Sequence, residues 1–362
     1  MTSHPTNHPV SQDLYKIAVS GASSLAGKEL SECLTESFLA ASDFVLMDED
    51  EAIGQLEQVG DEPIVIQRTE AGSFDRMDFV FFAGNAEATR KHWGAALRAG
   101  ASIVDLTGAL EGEPKVLVRA PWVSELLSRT APESAALPDF PPDLSTSAIV
   151  PAHPAAAMFA LVMARLHGRL KPRSIAATLL EPASQHGRAA MDELHQQTVG
   201  VLSFQTLPHE QYEAQLAFSV LSALGEGAKV RSSEDRIRAH YALLSSGRLP
   251  ELGLQVAQAP VFHGYVASMM VEFAEPVRQD EIEAALQGDH MDVLLGEGEP
   301  PNNMSVSGQE DVQVQVRPEP PGSESGTRYW LWVGADNLKL GAMNAIACAQ
   351  ELRRMRPHGK VQ

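Results

Sequence analysis

The chain has 362 residues, long enough for two domains that each bury a core. Its hydrophobic fraction is 44% and its charged fraction 21%, ordinary for a globular protein. A formal net charge of −19 argues against a nucleic-acid or membrane partner, and no apolar run reaches the ~18 residues that span a bilayer.

Residues 1–12 are polar, contain proline and lack an apolar signal-peptide core, which predicts a disordered tail on a cytoplasmic protein. Tyr15 to Ser20 is β-rich. A small-residue turn follows from Gly21 to Gly27, then a helical pattern from Lys28 to Leu39. Asp43 to Met47 reads as the next strand. Asp78 to Gly84 is a continuous apolar run, as expected of a strand buried on both faces. A helix from Glu87 to Ala99 and a strand from Ser102 to Asp105 extend the βαβ series. The pattern predicts a Rossmann-like α/β domain with a doubly wound parallel sheet.

Ile149 to Met158 reads as a strand end, a proline-punctuated turn and the start of an apolar helix running to Leu166. A helix N-terminus presents unpaired N–H groups and lowers the pKa of a cysteine placed there. This chain has Ala155, Ala156 and Ala157 there, and alanine forms no covalent intermediate.

From about Ser174 the pattern changes to strands, several of them alternating, at 175–180, 254–257, 267–273, 312–316 and 329–333. Helices are expected at 189–202, 234–244, 279–286 and 341–355. This predicts an α+β domain with a mixed or antiparallel sheet, and Pro318 to Gly326 as a hairpin-loop insert. The expected division is 1–12 as tail, 13–150 with 337–362 as the nucleotide-binding-type domain, and 151–336 as the second domain.

Both cysteines, Cys33 and Cys348, sit in helical patterns and are expected as buried thiols in a reducing compartment. No Cys/His cluster has zinc-ligand spacing, so no metal is expected. The Gly21–Gly27 turn keeps the outer glycines of a G-x-x-G-x-x-G pattern, with Ser24 in the middle. A glycine there lets a pyrophosphate approach, although helix N–H groups and hydroxyls also bind phosphate. The candidate cofactor-binding residues are Gly21, Ser23, Ser24, Leu25 and Gly27, with Asn337. The acidic run Asp48-Glu49-Asp50-Glu51 would repel the 2′-phosphate of NADP and leaves NAD open, or is simply a solvated loop.

From about Tyr15 to Met355 the chain resembles aspartate-semialdehyde dehydrogenases. Trp332-Val333-Gly334-Ala335-Asp336-Asn337-Leu338-Lys339-Leu340-Gly341-Ala342-Met343-Asn344-Ala345 is similar to the family's W-x-x-x-D-N-L-x-x-G-A-x-x-N-A segment. Ser184-Gln185-His186-Gly187, followed by Glu193-Leu194 and Gln197-Thr198, is similar to its S-G-A-G loop with downstream E-L and Q-T. Pro260-Val261-Phe262-His263-Gly264 is similar to its P-V-x-x-G. The resemblance implies a two-domain fold, NAD or NADP as cofactor, and a homodimer with amino-acid biosynthesis as its setting.

The departures fall on the positions to which the resemblance assigns chemistry. Ala156 stands at the nucleophilic cysteine, Glu181 at the orienting glutamine, Gln258 at the substrate-binding arginine and Tyr265 at the general-base histidine. Glu111 stands where a basic residue is expected, and Gln185 and His186 replace glycines beside the cofactor. Within the superfamily the chain is most similar to the Usg-type paralogues, which lack the catalytic cysteine. The resemblance therefore implies a dimeric binding or interaction protein with no intact catalytic set and no cofactor expected, NAD or NADP at the degenerate Gly21–Gly27 turn being the alternative. The alternative is an active NAD- or NADP-dependent oxidoreductase acting on an aldehyde from a non-standard site. His153, His186 and His263, with Glu181 and Tyr265, are expected to converge on the ancestral pocket as an acid–base or anion-binding group, or to remain as polar pocket walls. The strand with Met269, Met270 and Phe273 is expected to supply an apolar dimer interface.

Overall fold

A computed structural model describes residues 15–40, 43–49, 52–60, 62–129, 148–222, 229–296, 298–322 and 325–355. The tail 1–12 lies outside the described residues, as do Asp50 and Glu51 of the acidic run.

The first half of the chain runs β1 (Lys16–Ser20), α1 (Leu25–Thr35), β2 (Asp43–Asp48), the hairpin β3 (Leu56–Val59) and β4 (Glu62–Val65), β5 (Gln67–Arg68), β6 (Phe79–Phe82) and α2 (Ala86–Arg98). It continues with β7 (Ser102–Asp105), β8 (Leu117–Arg119), α3 (Pro121–Arg129) and β9 (Ala148–Pro151). Seven of these strands form one sheet in the order β5-β2-β1-β6-β7-β9-β8, with every pairing parallel. The apolar run of β6 is buried at all four positions because both faces of the sheet are covered. One face packs Leu30 and Leu34 of α1, and the other packs Ala96 of α2 and Phe74.

The second half runs α4 (Pro154–His167), β10 (Ser174–Glu181), α5 (Arg188–Leu202), β11 (Leu221–Ser222), α6 (Lys229–Ser245), β12 (Leu252–Gln258), β13 (Tyr265–Arg278) and α7 (Gln279–Leu286). It ends with β14 (Met291–Val293), β15 (Val312–Pro318), β16 (Ser325–Ala335) and α8 (Asn337–Met355). The second sheet has the order β11-β12-β10-β13-β16-β15-β14. It is mixed: β10–β12 and β14–β15 are parallel and the other pairings antiparallel. Its inner face, with Leu179, Met269, Val271, Phe273, Leu331 and Val333, shares a core with α4. Eleven of the fourteen residues of α4 are buried because α3, α6, α7 and α8 also pack on it.

Two readings of the sequence shift. Met269 and Phe273 point into the chain's own core, at 0% and 2% exposure, so the outward side of β13 carries Ser268 and Met270 instead. The alternation of a strand forces this, since positions two apart share a face. The last helix begins at Asn337, four residues before the expected Gly341, because Asp336 caps it: its Oδ1 accepts from Leu338 N at 2.9 Å and Lys339 N at 3.0 Å. α8 then packs back on α1, β7 and β9 of the first sheet. It is fastened there by Arg119, whose guanidinium meets both Glu351 carboxylate oxygens at 3.1 and 2.7 Å.

Candidate functional site

A cleft of about 420 Å³ opens at the carboxyl ends of the parallel strands. Its floor is the switch point of the first sheet, where the chain order reverses between β1 and β6. Two glycines shape that floor. Gly21 has φ +85, and a Cβ on it would lie 2.1 Å from Gly84 N. A Cβ on Gly27 would lie 2.2 Å from Gly21 O. Ser24 caps α1 by accepting from Gly27 N at 2.8 Å, and its hydroxyl donates to Ala83 O at 2.7 Å. The middle position thus exchanges room for a phosphate for a locked turn. Ser23 N donates to Asp48 Oδ2 at 2.8 Å, which draws the carboxylate at the end of β2 onto the turn. Of the six candidate cofactor residues, Ser24, Leu25 and Asn337 line the cleft; Gly21, Ser23 and Gly27 support the turn behind it.

The opposite wall comes from the second half: the 3₁₀ turn Ala183–His186, the start of α5 and Arg236 of α6. The N-termini of α1, α4, α5 and α8 all reach the cleft. Its electrostatics favour an anion despite the acidic chain. Asn337 is fixed by two donors to its Oδ1, Ser184 Oγ and Gly264 N, each at 3.1 Å. That pinning settles the amide orientation. Asn337 Nδ2 is then buried with no hydrogen-bond partner among the described residues.

Ala156 sits in the first turn of α4, fully buried, and the cleft wall there is His153 and Pro154 rather than Ala156. A polar layer lies at this end of the cleft. The Tyr265 hydroxyl donates to Gln185 Oε1, and Gln185 Nε2 lies 3.2 Å from His153 Nε2. Burial holds His153 neutral by pushing its pKa well down, and the charges of Arg236 and His240 act the same way. Burial and the Glu181 charge push the Tyr265 hydroxyl well up, so it is no base at neutral pH. Glu181 and Gln258 are register partners at the ends of β10 and β12, both fully buried, and both meet His186. The structure therefore gathers Glu181, Gln258, Tyr265, His153, Gln185 and His186. His263 is not brought to the cleft wall.

Sequence reasoning missed Arg236 and His240. They stand four apart on α6, so they share a helix face. Both meet Glu111, Arg236 Nε at 2.8 Å and His240 Nε2 at 3.2 Å. Burial raises the Glu111 pKa, but the hydrogen bond from His240 and the charge of Arg236 outweigh it and hold the carboxyl below its usual range. His240 Nδ1 accepts from His153 N at 2.8 Å, which ties the cluster to the start of α4. The i, i+4 Arg–His spacing was the available signal; nothing in the sequence marked Glu111 as its partner. Among the described residues no three of His, Cys, Asp and Glu gather as a metal site.

No thiol reaches the cleft. Cys33 lies in α1 beside Glu29, and burial followed by that charge pushes its pKa up to about 12. Cys348 is fully buried in α8, where burial pushes it well above its usual value.

Family models of semialdehyde dehydrogenases match the chain twice, the NAD binding domain over residues 16–130 and the dimerisation domain over 163–339. A USG-1 protein homolog of Pseudomonas aeruginosa is 30% identical over 93% of this chain and 97% of its own length. An aspartate-semialdehyde dehydrogenase of Rickettsia bellii is 24% identical over the same shares. Among solved structures, a probable aspartate-semialdehyde dehydrogenase of Pseudomonas aeruginosa superposes with a TM-score of 0.78 at 27% identity, over 94% of this chain and 98% of that one. Aspartate semialdehyde dehydrogenase II of Vibrio cholerae, at 19% identity, shares the fold with a TM-score of 0.80, over 94% of this chain and 99% of that one.

Proposed function

We infer, from a chain that belongs to the semialdehyde dehydrogenase family, a protein that does not run a thiol-dependent dehydrogenase reaction and persists as a dimeric ligand-binding protein. The observation that carries the reading is the absence of any thiol at the cleft, with Ala156 at the helix N-terminus where the family resemblance places the nucleophile. Alanine cannot hold an acyl group. The remaining residues support it. Gln258 brings no charge to a substrate carboxylate, and Tyr265 is tied to Gln185 as a donor.

The two-part organisation, 13–150 with 337–362 and 151–336, is part of the proposal, as is cytoplasmic residence. The homodimer would form on the outer face of the second sheet, where Trp330 and Trp332 are 40% and 38% exposed. Any dinucleotide held at the floor would be NAD rather than NADP, since Asp48 and Glu49 place carboxylates beside the turn. The test is a thermal-shift series with NAD, NADP and small carboxylates alongside turnover of aspartate semialdehyde with either dinucleotide and phosphate. A ligand present at ~100 times its dissociation constant adds about 2.7 kcal/mol. The reading expects stabilisation without turnover. Sustained dinucleotide reduction would favour the oxidoreductase alternative.

A further inference from the structure

His186 ends the turn before α5, two residues from Arg188. Its Nε2 lies 2.9 Å from Glu181 Oε2 and 3.0 Å from Gln258 Oε1. The Gln258 amide donates to the Glu181 carbonyl at 2.8 Å, so its oxygen faces the ring. Two acceptors at one nitrogen fix the proton there. In the neutral ring Nδ1 then holds the free lone pair. Nδ1 has no hydrogen-bond partner among the described residues, and the ring lines the cleft.

Donors share that wall. Gly187 is the N-cap of α5 and offers no side-chain cap, which leaves the N–H groups of the first turn from Arg188 without intrahelical partners. Arg188 is exposed and has no ion-pair partner among the described residues, whereas Arg236 is committed to Glu111. Asn337 Nδ2, 1% exposed on the same cleft, is a third donor without a partner. The cleft thus offers several donors and one fixed acceptor.

We propose that this end of the cleft is a binding site for a phosphate monoester, with His186 Nδ1 taking the proton of its P–OH group. The proposal rests on the reading of the cleft as a binding site. A monoester near neutral pH presents acceptor oxygens and one dissociable proton, its second pKa being about 6. The non-bridging phosphoryl oxygens meet Arg188, the α5 N–H groups and Asn337; the P–OH meets Nδ1. A phosphodiester or an ionised carboxylate has no proton to place there. The sharing is balanced in either form, as neutral imidazole with P–OH or imidazolium with the dianion. The other ionisable groups around the ring are Glu181 at the end of β10, Tyr212, which meets it edge-on at 6.4 Å, and on the cleft His153, Arg188 and Arg236. Tyr265 adjoins through Gln185. Burial keeps Tyr212 protonated and His153 neutral.

The test is calorimetric titration of the full chain with methyl phosphate, dimethyl phosphate, succinate and NAD. Methyl phosphate is expected to bind roughly tenfold or more tighter than dimethyl phosphate, one charge-assisted hydrogen bond converted to affinity. His186→Asn is expected to abolish that preference; Arg188→Ala is expected to weaken methyl phosphate roughly tenfold. Ring-nitrogen NMR of the unaltered chain is expected to show His186 protonated at Nε2 and perturbed by methyl phosphate. Equal binding of the two esters, a preference that survives His186→Asn, or a proton on Nδ1 in the unliganded chain would each overturn the proposal. NAD binding without methyl phosphate binding would also overturn it while leaving the binding reading intact.

Discussion

At the scale of single residues, the cleft is held by positions that tolerate little. Gly21 combines a left-handed backbone with a Cβ clash against Gly84 N, so Gly21→Ala should cost at least about 2 kcal/mol. Chemical denaturation would read it as a lower midpoint with an unchanged slope. His153 supplies a pH dependence whose sign is fixed by its lowered pKa. The unfolded chain takes a proton near its ordinary value of ~6.5, and the folded chain only well below it. The folded state is therefore favoured above ~6.5 and loses stability as pH falls below that value. Thermal melting should drop between pH 7 and 5, and His153→Gln should flatten that drop. An unchanged pH profile in the variant would remove His153 as its source. The residues at and behind the cleft were only partly legible in sequence. Ala156, Glu181, Gln258 and Tyr265 could be found because motif spacing points at them. Arg236, His240 and the orphaned amide of Asn337 depend on contacts between segments over 100 residues apart or on two donors pinning one oxygen, which no local pattern encodes.

At the scale of elements, periodicity located the helices other than α3 and the longer strands, because burial on one or both faces writes itself into the sequence, while the short strands β3, β4, β5, β8, β11 and β14 carry too few residues to show a period. The apolar run at β6 and the alternation in β16 are the clearest cases. What alternation alone left open was which face of β13 meets the core, and Met269 and Phe273 turned inward. The start of α8 was set by a side-chain cap at Asp336, not by the hydrophobic pattern that begins later. That helix closes the first sheet, and its buried bidentate pair makes a sharp test. Glu351→Ala leaves the Arg119 guanidinium buried without its carboxylate and should cost about 3–5 kcal/mol. Replacing both partners by apolar residues should cost much less, since no charge is then stranded. A double-mutant cycle in denaturant would show the difference.

At the scale of the whole molecule, the second sheet is packed against helices on its inner face, while among the described residues its outer face is covered only in part, by the loop whose Pro301 carbonyl accepts from Trp332 Nε1 at 2.7 Å. Its outer face aligns Ser268 and Met270 of β13 with Trp332 and Trp330 of β16 in register. Two indole rings of this exposure on a sheet face suit a second copy, and a stable dimer buries about 1,200–2,000 Å² or more. Light scattering at micromolar concentration should give a dimer, and Trp330→Glu with Trp332→Glu should give a folded monomer. A wild-type monomer would remove the main role assigned to this sheet. The central claim is that loss of the thiol is one part of a rebuilt pocket rather than a single gap in an intact enzyme. Ala156→Cys tests it most directly: turnover of aspartate semialdehyde by this variant with NAD or NADP and phosphate, followed as dinucleotide reduction. The expected result is no rate above buffer. The new thiol would be buried off the cleft wall. Gln258 holds no carboxylate, and a missing general base alone forfeits ~10²–10⁴-fold. Robust turnover from Ala156→Cys alone would contradict the account and show the rest of the pocket to be catalytically intact.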